Sequence, residues 1–300
     1  MVLLDALSAT PTFFISATLV LGLLVGSFLN VVIYRVPVML EREWRLQCAQ
    51  LEGRDAAAGP AAPRFNLVVP RSTCPKCQAP ITALQNIPVI SYLFLRGRCA
   101  SCRTSISARY PLIEALTGVL SALVAWKFGY GAPALAALVL TWFLIALTFI
   151  DVDTQLLPDS MTLPLVWLGV ASSAFLQTNP QGPLPVALHD SIIGAMAGYL
   201  SLWSIYHLFK LLTGKEGMGY GDFKLLAAIG AFLGWRMLLP TVLGAAAVGA
   251  VVGTVILSLK GKGRGVPIAF GPFLAASGWI MLMWGGDLLE GYLGLFGLHS

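Results

Sequence analysis

The sequence contains 300 residues, of which 57% are hydrophobic and 11% are charged. Since about a quarter of the residues in a soluble globular domain are charged, this composition excludes such a domain and indicates an integral membrane protein. The net charge of +5 comes from basic residues concentrated in a few connections. That distribution is typical of membrane topology, and we predict no nucleic-acid partner.

A helix that spans a bilayer needs about 20 mostly apolar residues, and the chain contains eight candidate segments. The sixth is the shortest, and it runs into the seventh through GWRMLLP. The sequence therefore predicts an all-α polytopic membrane protein with about eight transmembrane helices. The predicted spans are residues 12–35, 110–129, 133–151, 161–177, 188–211, 222–237, 238–259 and 266–285.

A long polar segment, residues 36–109, separates the first two spans. Together with Arg35 it holds eleven of the 19 Lys and Arg residues, and six more flank the fifth-to-sixth and seventh-to-eighth connections. Because basic residues favour cytoplasmic loops, we predict that this segment is cytoplasmic and that both chain termini lie outside. The predicted parts are a first transmembrane helix at 1–35, a cytoplasmic domain at 36–109 and a transmembrane core at 110–300.

Four of the five cysteines form two Cys-x-x-Cys pairs, CPKC and CASC, with 21 residues between the pairs. Each tight turn directs two thiolates at one tetrahedral ion, and two such turns complete a four-sulfur zinc site without an open position. Reduced free thiols are the alternative, since the cytoplasm disfavours disulfides. We predict a structural zinc ion that stabilises the 36–109 domain. Its ligands are Cys74, Cys77, Cys99 and Cys102, and Cys48 is left as an ordinary thiol.

Four aspartates lie at predicted cytoplasmic ends of spans. Three are in FIDVDTQLLPD and the fourth follows two glycines in GYGD. Separately, each has a simple structural explanation, because Asp is a favoured helix N-cap and interface carboxylates are solvated. Together, two carboxyls in a partly dry site can share a proton, so that one activates water and the other polarises a peptide carbonyl. The glycines would let an extended substrate approach the backbone. This is aspartic protease chemistry. The four residues are Asp151, Asp153, Asp159 and Asp222.

Seven segments form an ordered set along nearly the whole chain: GSFLNVVIYRVP, CPKC…CASC, NIPVISYLFLRGRC, ISARYPLIEALTG, FIDVDTQLLPD, GMGYGDFKLLAAIGAFLG and GVPIAFGPFLA. In this order they resemble the type IV prepilin peptidases, also called leader peptidase/N-methyltransferases. These enzymes belong to the wider G-x-G-D membrane aspartyl proteases. The ordered set is far more specific than G-x-G-D alone.

The resemblance implies a bacterial inner-membrane enzyme that cleaves the basic leader of type IV prepilins and type II secretion pseudopilins. Cleavage falls at the cytoplasmic face, after a Gly and before the apolar helix. The implied catalytic pair is Asp151 and Asp222, with Asp153 as the competing assignment for the first. Asp151 is preferred because it continues the third span, whereas Asp153 would point about 200° away around a helix. Asp159 is interpreted as the N-cap of the fourth span.

Bifunctional members of the family then methylate the new N-terminal amine with S-adenosylmethionine, and they carry the four-cysteine segment. The resemblance implies Gly97 in LRGRC and Glu114 in YPLIE as cofactor-binding candidates. No Gly-rich loop after a strand stands out in residues 36–109. The alternative roles are a turn glycine beside the zinc site and a carboxylate at a helix start.

Three alternative functions stay open. The protein could be a peptidase without the methyltransferase activity. It could be a G-x-G-D protease that cuts other substrates within the bilayer, which predicts aspartates near mid-membrane rather than at span ends. It could be a transporter or assembly scaffold, which predicts charges inside several spans, where this sequence has almost none. The expected partners are prepilin and pseudopilin substrates and membrane lipid.

Overall fold

The computed structural model describes residues 7–53, 64–176, 184–260 and 269–295 and is predominantly helical. In these ranges there is no strand, only two isolated β-bridges, so the all-α prediction is confirmed. Two single-turn 3-10 helices occur at Leu84–Asn86 and Trp235–Met237. The α-helices of the described residues are α1 (Pro11–Leu51), α2 (Ile90–Phe94), α3 (Arg109–Phe128), α4 (Ala132–Thr154), α5 (Asp159–Phe175), α6 (Leu188–Thr213), α7 (Tyr220–Leu233), α8 (Leu238–Lys260) and α9 (Gly271–Leu295).

Every predicted span overlaps one of these helices, with α2 as the additional short helix. The sixth span corresponds to α7, whose 14 residues make about 21 Å of helix, less than the ~30 Å hydrocarbon core. The first residues of the eighth span, 266–268, lie outside the described residues, as do Lys262 and Arg264. Five described segments are long and apolar enough to cross a membrane, which confirms a multi-pass membrane protein. They are Pro11–Leu51, Arg109–Phe128, Ala132–Thr154, Leu188–Thr213 and Trp235–Val255.

The chain divides into two compact units, Met1–Trp126 and Lys127–Ser300. In the first, α1 has 41 residues and continues well past residue 35, the predicted end of the first span. Pro37 removes one backbone donor from this helix but does not end it. Arg35 is therefore inside the helix, where it is buried.

Arg35 holds the chain segment that follows α1. Its guanidinium donates to the carbonyl oxygens of Asn66 at 2.8 Å and Pro70 at 2.6 Å. It also lies 5.6 Å from the centre of the Phe65 ring. A charge buried in this way is compensated by hydrogen bonds, so Arg35 fixes this segment against α1.

Glycines allow α1 and α3 to pack closely in the first unit. A Cβ at Gly22 would lie 2.6 Å from Oγ of Ser121, and one at Gly26 would lie 2.7 Å from Cα of Glu114. One turn further along α1, Asn30 donates to the carbonyl of Tyr110 at 3.2 Å. The start of α3 is thereby held against the middle of α1.

In the second unit, α7 is the central helix. It packs against α5, α6 and α9, and eleven of its 14 residues are buried. The α6 contact depends on glycine, because a Cβ on either Gly194 or Gly230 would overlap the other's carbonyl group. The helix α7 is too short to span the bilayer alone, and it is accommodated because the surrounding helices cover it.

Candidate active site and metal centre

The structure brings Asp151 and Asp222 together in the second unit. Asp151 lies in the last turn of α4, and Asp222 is the third residue of α7. The two side chains are only 5% and 7% exposed, and their carboxyl groups interact electrostatically. The arrangement is therefore a buried carboxyl pair near the ends of two helices.

The two carboxyl groups have different surroundings. Oδ2 of Asp151 accepts a hydrogen bond of 3.0 Å from the backbone N–H of Gly271, the first residue of α9. Asp222 has its backbone partner at Gly219, while its buried Oδ1 has no hydrogen-bond partner among the described residues. Oxygen atoms buried without a partner are rare in folded proteins.

Helix capping accounts for only part of the Asp222 side chain. Gly219 is the N-cap of α7, and the contact of the Asp222 side chain with the Gly219 backbone leaves the buried Oδ1 without a hydrogen-bond partner among the described residues. The competing Asp153 is exposed on α4. Of the two candidate first carboxyls, only Asp151 faces the protein interior with Asp222.

The interpretation of Asp159 as an N-cap is wrong. Pro158 occupies the N-cap position of α5, and Asp159 is the first helical residue with no cap bond. Its carboxylate instead pairs with Lys224 of α7 at 2.5 Å. Because the Asp159 side chain is 58% exposed, the pair connects the starts of two helices at the surface and is not part of the buried site.

Leu157 packs against two glycines, Gly221 and Gly271, near the carboxyl pair. A Cβ at Gly221 would lie 2.6 Å from Cβ of Leu157, and one at Gly271 would lie 3.3 Å from its Cδ1. Gly221 therefore makes room for Leu157, which differs from the predicted role of admitting a substrate. Gly219 has open space, since the nearest atom to an added Cβ is Oδ2 of Asp222 at 3.8 Å.

The sequence does not identify Gly271 as a site residue. Its segment, GVPIAFGPFLA, carries part of the family resemblance, which implies no role for this glycine. The available signal was Gly-Pro directly before an apolar run, because proline near the first helical position marks a helix start. That signal gives the helix boundary but not the long-range contact with Asp151.

The two Cys-x-x-Cys turns of the first unit share one backbone geometry. The N–H of Cys74 donates to the carbonyl of Ala79 at 3.0 Å, and that of Cys99 donates to Thr104 at 2.8 Å. The residue after the second cysteine has a φ of 57° in both turns. Two equivalent turns thus present two thiols each, as the spacing predicted.

The four sulfur atoms form a compact cluster. Sγ of Cys74 lies 3.8 Å from that of Cys102, and Sγ of Cys77 lies 4.0 Å from that of Cys99. All four lie within 4.8 Å of one another, and none is in a disulfide. A tetrahedron with Zn–S bonds of about 2.3 Å has edges of about 3.8 Å, so the cluster could bind a metal ion of this size.

Local hydrogen bonds favour the thiolate form of Cys74 and Cys102. Thr104 lowers the pKa of Cys102 to about 6, and backbone N–H groups of the first turn, chiefly that of Cys77, lower the pKa of Cys74. A contact with the Ala79 backbone acts in the same direction on Cys77, but desolvation and the other thiols raise its pKa to about 11. Four thiols this close together cannot all lose their protons unless a cation balances the negative charges, and a bound metal ion supplies that cation.

A cavity of about 760 Å³ lies beside these turns and is lined by α1, both turns and the start of α3. Glu114 is the one carboxylate among the lining residues of the described chain. Its Oε2 accepts the N–H of Val89 at 2.7 Å, and Ser27 bonds its side chain. Two guanidinium groups, those of Arg35 and Arg71, also border the cavity.

Gly97 does not line this cavity. It has a φ of +67°, a conformation that favours glycine, and a Cβ there would lie 2.8 Å from the hydroxyl oxygen of Tyr92. Its structural role is that of a turn glycine after α2. Of the two predicted cofactor-binding residues, Glu114 lines the cavity. Gly97 does not line it but packs against Tyr92, which does.

The fold and site define a multi-pass helical membrane protein with a buried aspartate pair and a four-cysteine cluster. Comparison with known families matches residues 20–128 to the bacterial peptidase A24 N-terminal domain and residues 138–254 to the type IV leader peptidase family. The chain belongs to the type IV leader peptidase family.

Curated relatives match this chain in sequence along almost their full length. A protein of Stutzerimonas stutzeri is 52% identical over 96% of this chain and 97% of its own, and one of Pseudomonas aeruginosa is 50% identical over 98% of both. A third, of Neisseria gonorrhoeae, is 54% identical over 92% of both chains. All three are named prepilin leader peptidase/N-methyltransferase. No solved structure matches the chain.

Proposed function

We propose that this protein is a prepilin leader peptidase with Asp151 and Asp222 as its catalytic pair. The observation that carries the proposal is the burial of two electrostatically interacting carboxyl groups on different helices. Ionisable groups in membrane helices are costly and mark functional sites. Two carboxyls that share one proton supply a base for the attacking water and an acid for the peptide carbonyl.

The location of the pair favours cleavage at a membrane face. Asp151 lies near the end of α4 and Asp222 near the start of α7, whereas a protease that cuts helices within the bilayer would hold its carboxyls near mid-membrane. The proposed substrates are type IV prepilins and type II secretion pseudopilins, cut between a basic leader and an apolar helix. The names of the relatives support the prepilin substrate.

The proposed location is the bacterial inner membrane, with the active site facing the cytoplasm and the N-terminus outside. The concentration of Lys and Arg in residues 36–109 supports this orientation. We keep the division of the chain into a first transmembrane helix (residues 1–35), a cytoplasmic domain (36–109) and a transmembrane core (110–300). The cytoplasmic domain is stabilised by a structural zinc ion, and the distances between the sulfur atoms support zinc as the ion.

The proposed second activity is methylation of the amine that cleavage releases. S-adenosylmethionine, when bound, supplies an electrophilic methyl group on a sulfonium centre. The cavity of the first unit fits such a cofactor, because it combines the Glu114 carboxylate with aromatic side chains such as Phe65 and Tyr92. Glu114 would face the cationic or hydroxyl groups of the cofactor, and Gly97 would support Tyr92 from behind. The four cysteines would hold the cavity wall and leave no open metal position for chemistry.

The test uses the full-length protein in lipid nanodiscs with a prepilin and S-adenosylmethionine. Mass spectrometry should show a shortened product that carries one added methyl group. Asp151→Asn and Asp222→Asn should each leave the prepilin intact while the protein inserts normally. Full cleavage by either variant would refute the catalytic pair, and a cleaved but unmethylated product would leave only the peptidase.

A further inference from the structure

The two carboxyl groups of the buried pair differ in what stabilises a negative charge on them. The N–H of Gly271 donates to Oδ2 of Asp151 at 3.0 Å in a buried contact. Gly271 is the first residue of the 25-residue helix α9. The first N–H groups of a helix have no partner within the helix and carry partial positive charge. The contact therefore favours the ionised form of Asp151.

Asp222 has a weaker arrangement for a charge. It lies in the first turn of α7, which favours an anion, and its side chain contacts the backbone of Gly219, but its buried Oδ1 has no partner among the described residues. Each carboxyl group therefore has one backbone contact, but among the described residues only Asp222 has a buried carboxyl oxygen without a partner. A negative charge on such a group is strongly disfavoured. The proton of the pair is therefore expected on Asp222.

Charged residues around the pair do not change which of the two carboxyl groups is expected to carry the proton. Asp159 and Lys224 neutralise one another at the surface between α5 and α7. Asp153 is exposed on the other side of α4. The difference between the two carboxyls is thus set by the unpartnered Oδ1 of Asp222, while the N–H of Gly271 holds Oδ2 of Asp151.

We propose that Gly271 is a positioning residue that keeps Asp151 ionised, so that Asp151 is the general base and Asp222 the general acid. This proposal rests on the proposed catalytic pair. Water attacks the peptide carbon and gives one proton to Asp151, while Asp222 gives its proton to the carbonyl oxygen. When the C–N bond breaks, the proton on Asp151 moves to the leaving amine. A hydroxyl proton of the intermediate then returns to Asp222, which restores the starting state.

Glycine is required at this position for a steric reason as well. A Cβ at residue 271 would lie 2.5 Å from Oδ2 of Asp151, so any other residue displaces the carboxylate. Gly278 on the same helix offers a matched control. Its added Cβ would lie 2.8 Å from Cδ1 of Ile229, the flexible end of a side chain, with no carboxyl nearby.

Chemical labelling tests the roles directly in the unmodified protein. An ionised carboxylate opens an aryloxy-epoxide to form an ester, whereas a protonated carboxyl reacts with a diazo ester and releases nitrogen. Peptide mapping should find the epoxide on Asp151 and the diazo product on Asp222. The reverse assignment, or both labels on one residue, overturns the proposal. If both Asp→Asn variants still lack cleavage in that case, the catalytic pair itself stands.

Two substitutions test the hydrogen bond. Gly271→Ala places a Cβ beside Asp151 but keeps the N–H, whereas Gly271→Pro removes the N–H and also places its ring Cδ where the hydrogen pointed. Proline is tolerated at the first position of a helix. Since one lost donor to a reacting charge costs about 10²-fold in kcat or more, Gly271→Pro should be at least about tenfold slower than Gly271→Ala at similar KM.

The epoxide labelling of Asp151 should fall in Gly271→Pro and stay near the wild-type level in Gly278→Ala. Equal kcat values for the alanine and proline variants would show that the N–H contributes nothing. Loss of cleavage in Gly278→Ala comparable to that in Gly271→Ala would also overturn the positioning role. The wild-type labelling result decides the proposal even if the proline variant does not fold.

Discussion

Asp151 and Asp153 are two positions apart on α4, but Asp151 is buried and Asp153 is exposed. Two helical positions correspond to about 200° of rotation, so the side chains leave opposite faces of the helix. Asp151 faces Asp222 within the protein, and Asp153 does not contribute to the buried pair. The structure therefore distinguishes two carboxyls that the sequence offered as competing candidates.

The first prediction follows from this contrast. Asp151→Asn removes one member of the pair and should lower leader cleavage by about 10³-fold or more, as expected for loss of an acid–base group. Asp153→Asn, the matched control from the same helix, should keep cleavage within about threefold of wild type, since surface changes have small effects. Quantifying processed and unprocessed prepilin by gel or mass spectrometry measures both. The opposite ranking would move the catalytic role to Asp153.

A second prediction compares the two glycines of G-x-G-D. Gly221→Ala places a methyl group 2.6 Å from Cβ of Leu157, and this overpacking should cost about 1–3 kcal/mol of stability. Since the strain falls one residue before Asp222, cleavage should also slow by more than tenfold, that is by more than about 1.4 kcal/mol.

Gly219→Ala is the control for this effect, because the nearest atom lies 3.8 Å away and the φ of −82° is open to alanine. It should lose less than about 1 kcal/mol, the cost of a poorer N-cap. Thermal unfolding in detergent and prepilin cleavage measure both variants. Equal effects at the two glycines would contradict the close contact with Leu157.

The sequence predicted the local parts of this protein well. The apolar segments gave the helices, because each spans enough residues to be recognised alone, and the Cys-x-x-Cys spacing gave the sulfur cluster. The sequence does not reveal that Asp159 pairs with Lys224, because Lys224 lies 65 residues further along the chain. The contact between Gly271 and Asp151 was likewise invisible, since 120 residues separate them. Spacing alone does not place two distant helix ends together.

A third prediction concerns the metal. Cys99→Ser removes one of the four clustered sulfurs, and the remaining three cannot complete a closed tetrahedral site. The purified variant should lose zinc and its 36–109 segment should become more sensitive to proteolysis. Cys48→Ser is the control, because Cys48 lies on α1 and outside the cluster. Elemental analysis should find about one zinc per chain in wild type and in this control. An absence of zinc from the wild-type protein would refute the four-sulfur zinc site.

A fourth prediction concerns Asp159. Its pair with Lys224 is largely solvent-accessible on the carboxylate side, and such pairs contribute about 1 kcal/mol or less. Asp159→Asn should therefore lower the melting temperature only slightly and leave cleavage nearly unchanged. Thermal unfolding and the prepilin assay check this outcome together. A complete loss of cleavage would place Asp159 in the catalytic machinery instead.

The last prediction separates the two proposed activities. Glu114→Gln keeps an oxygen that can accept the N–H of Val89 but removes the only carboxylate charge that borders the described cavity. The variant should therefore fold normally, bind S-adenosylmethionine at least about tenfold more weakly, consistent with loss of a charged hydrogen bond, and leave its product unmethylated. Leader cleavage should continue, because Asp151 and Asp222 are intact.

Calorimetry with S-adenosylmethionine and mass spectrometry of the processed prepilin measure the two effects separately. Arg109→Gln, at the start of the same helix and outside the cavity lining, is the control and should keep both activities. Normal methylation by Glu114→Gln would exclude this carboxylate from cofactor binding. Loss of cleavage together with methylation would instead indicate a general disruption of α3, because the peptidase residues all lie in the second unit.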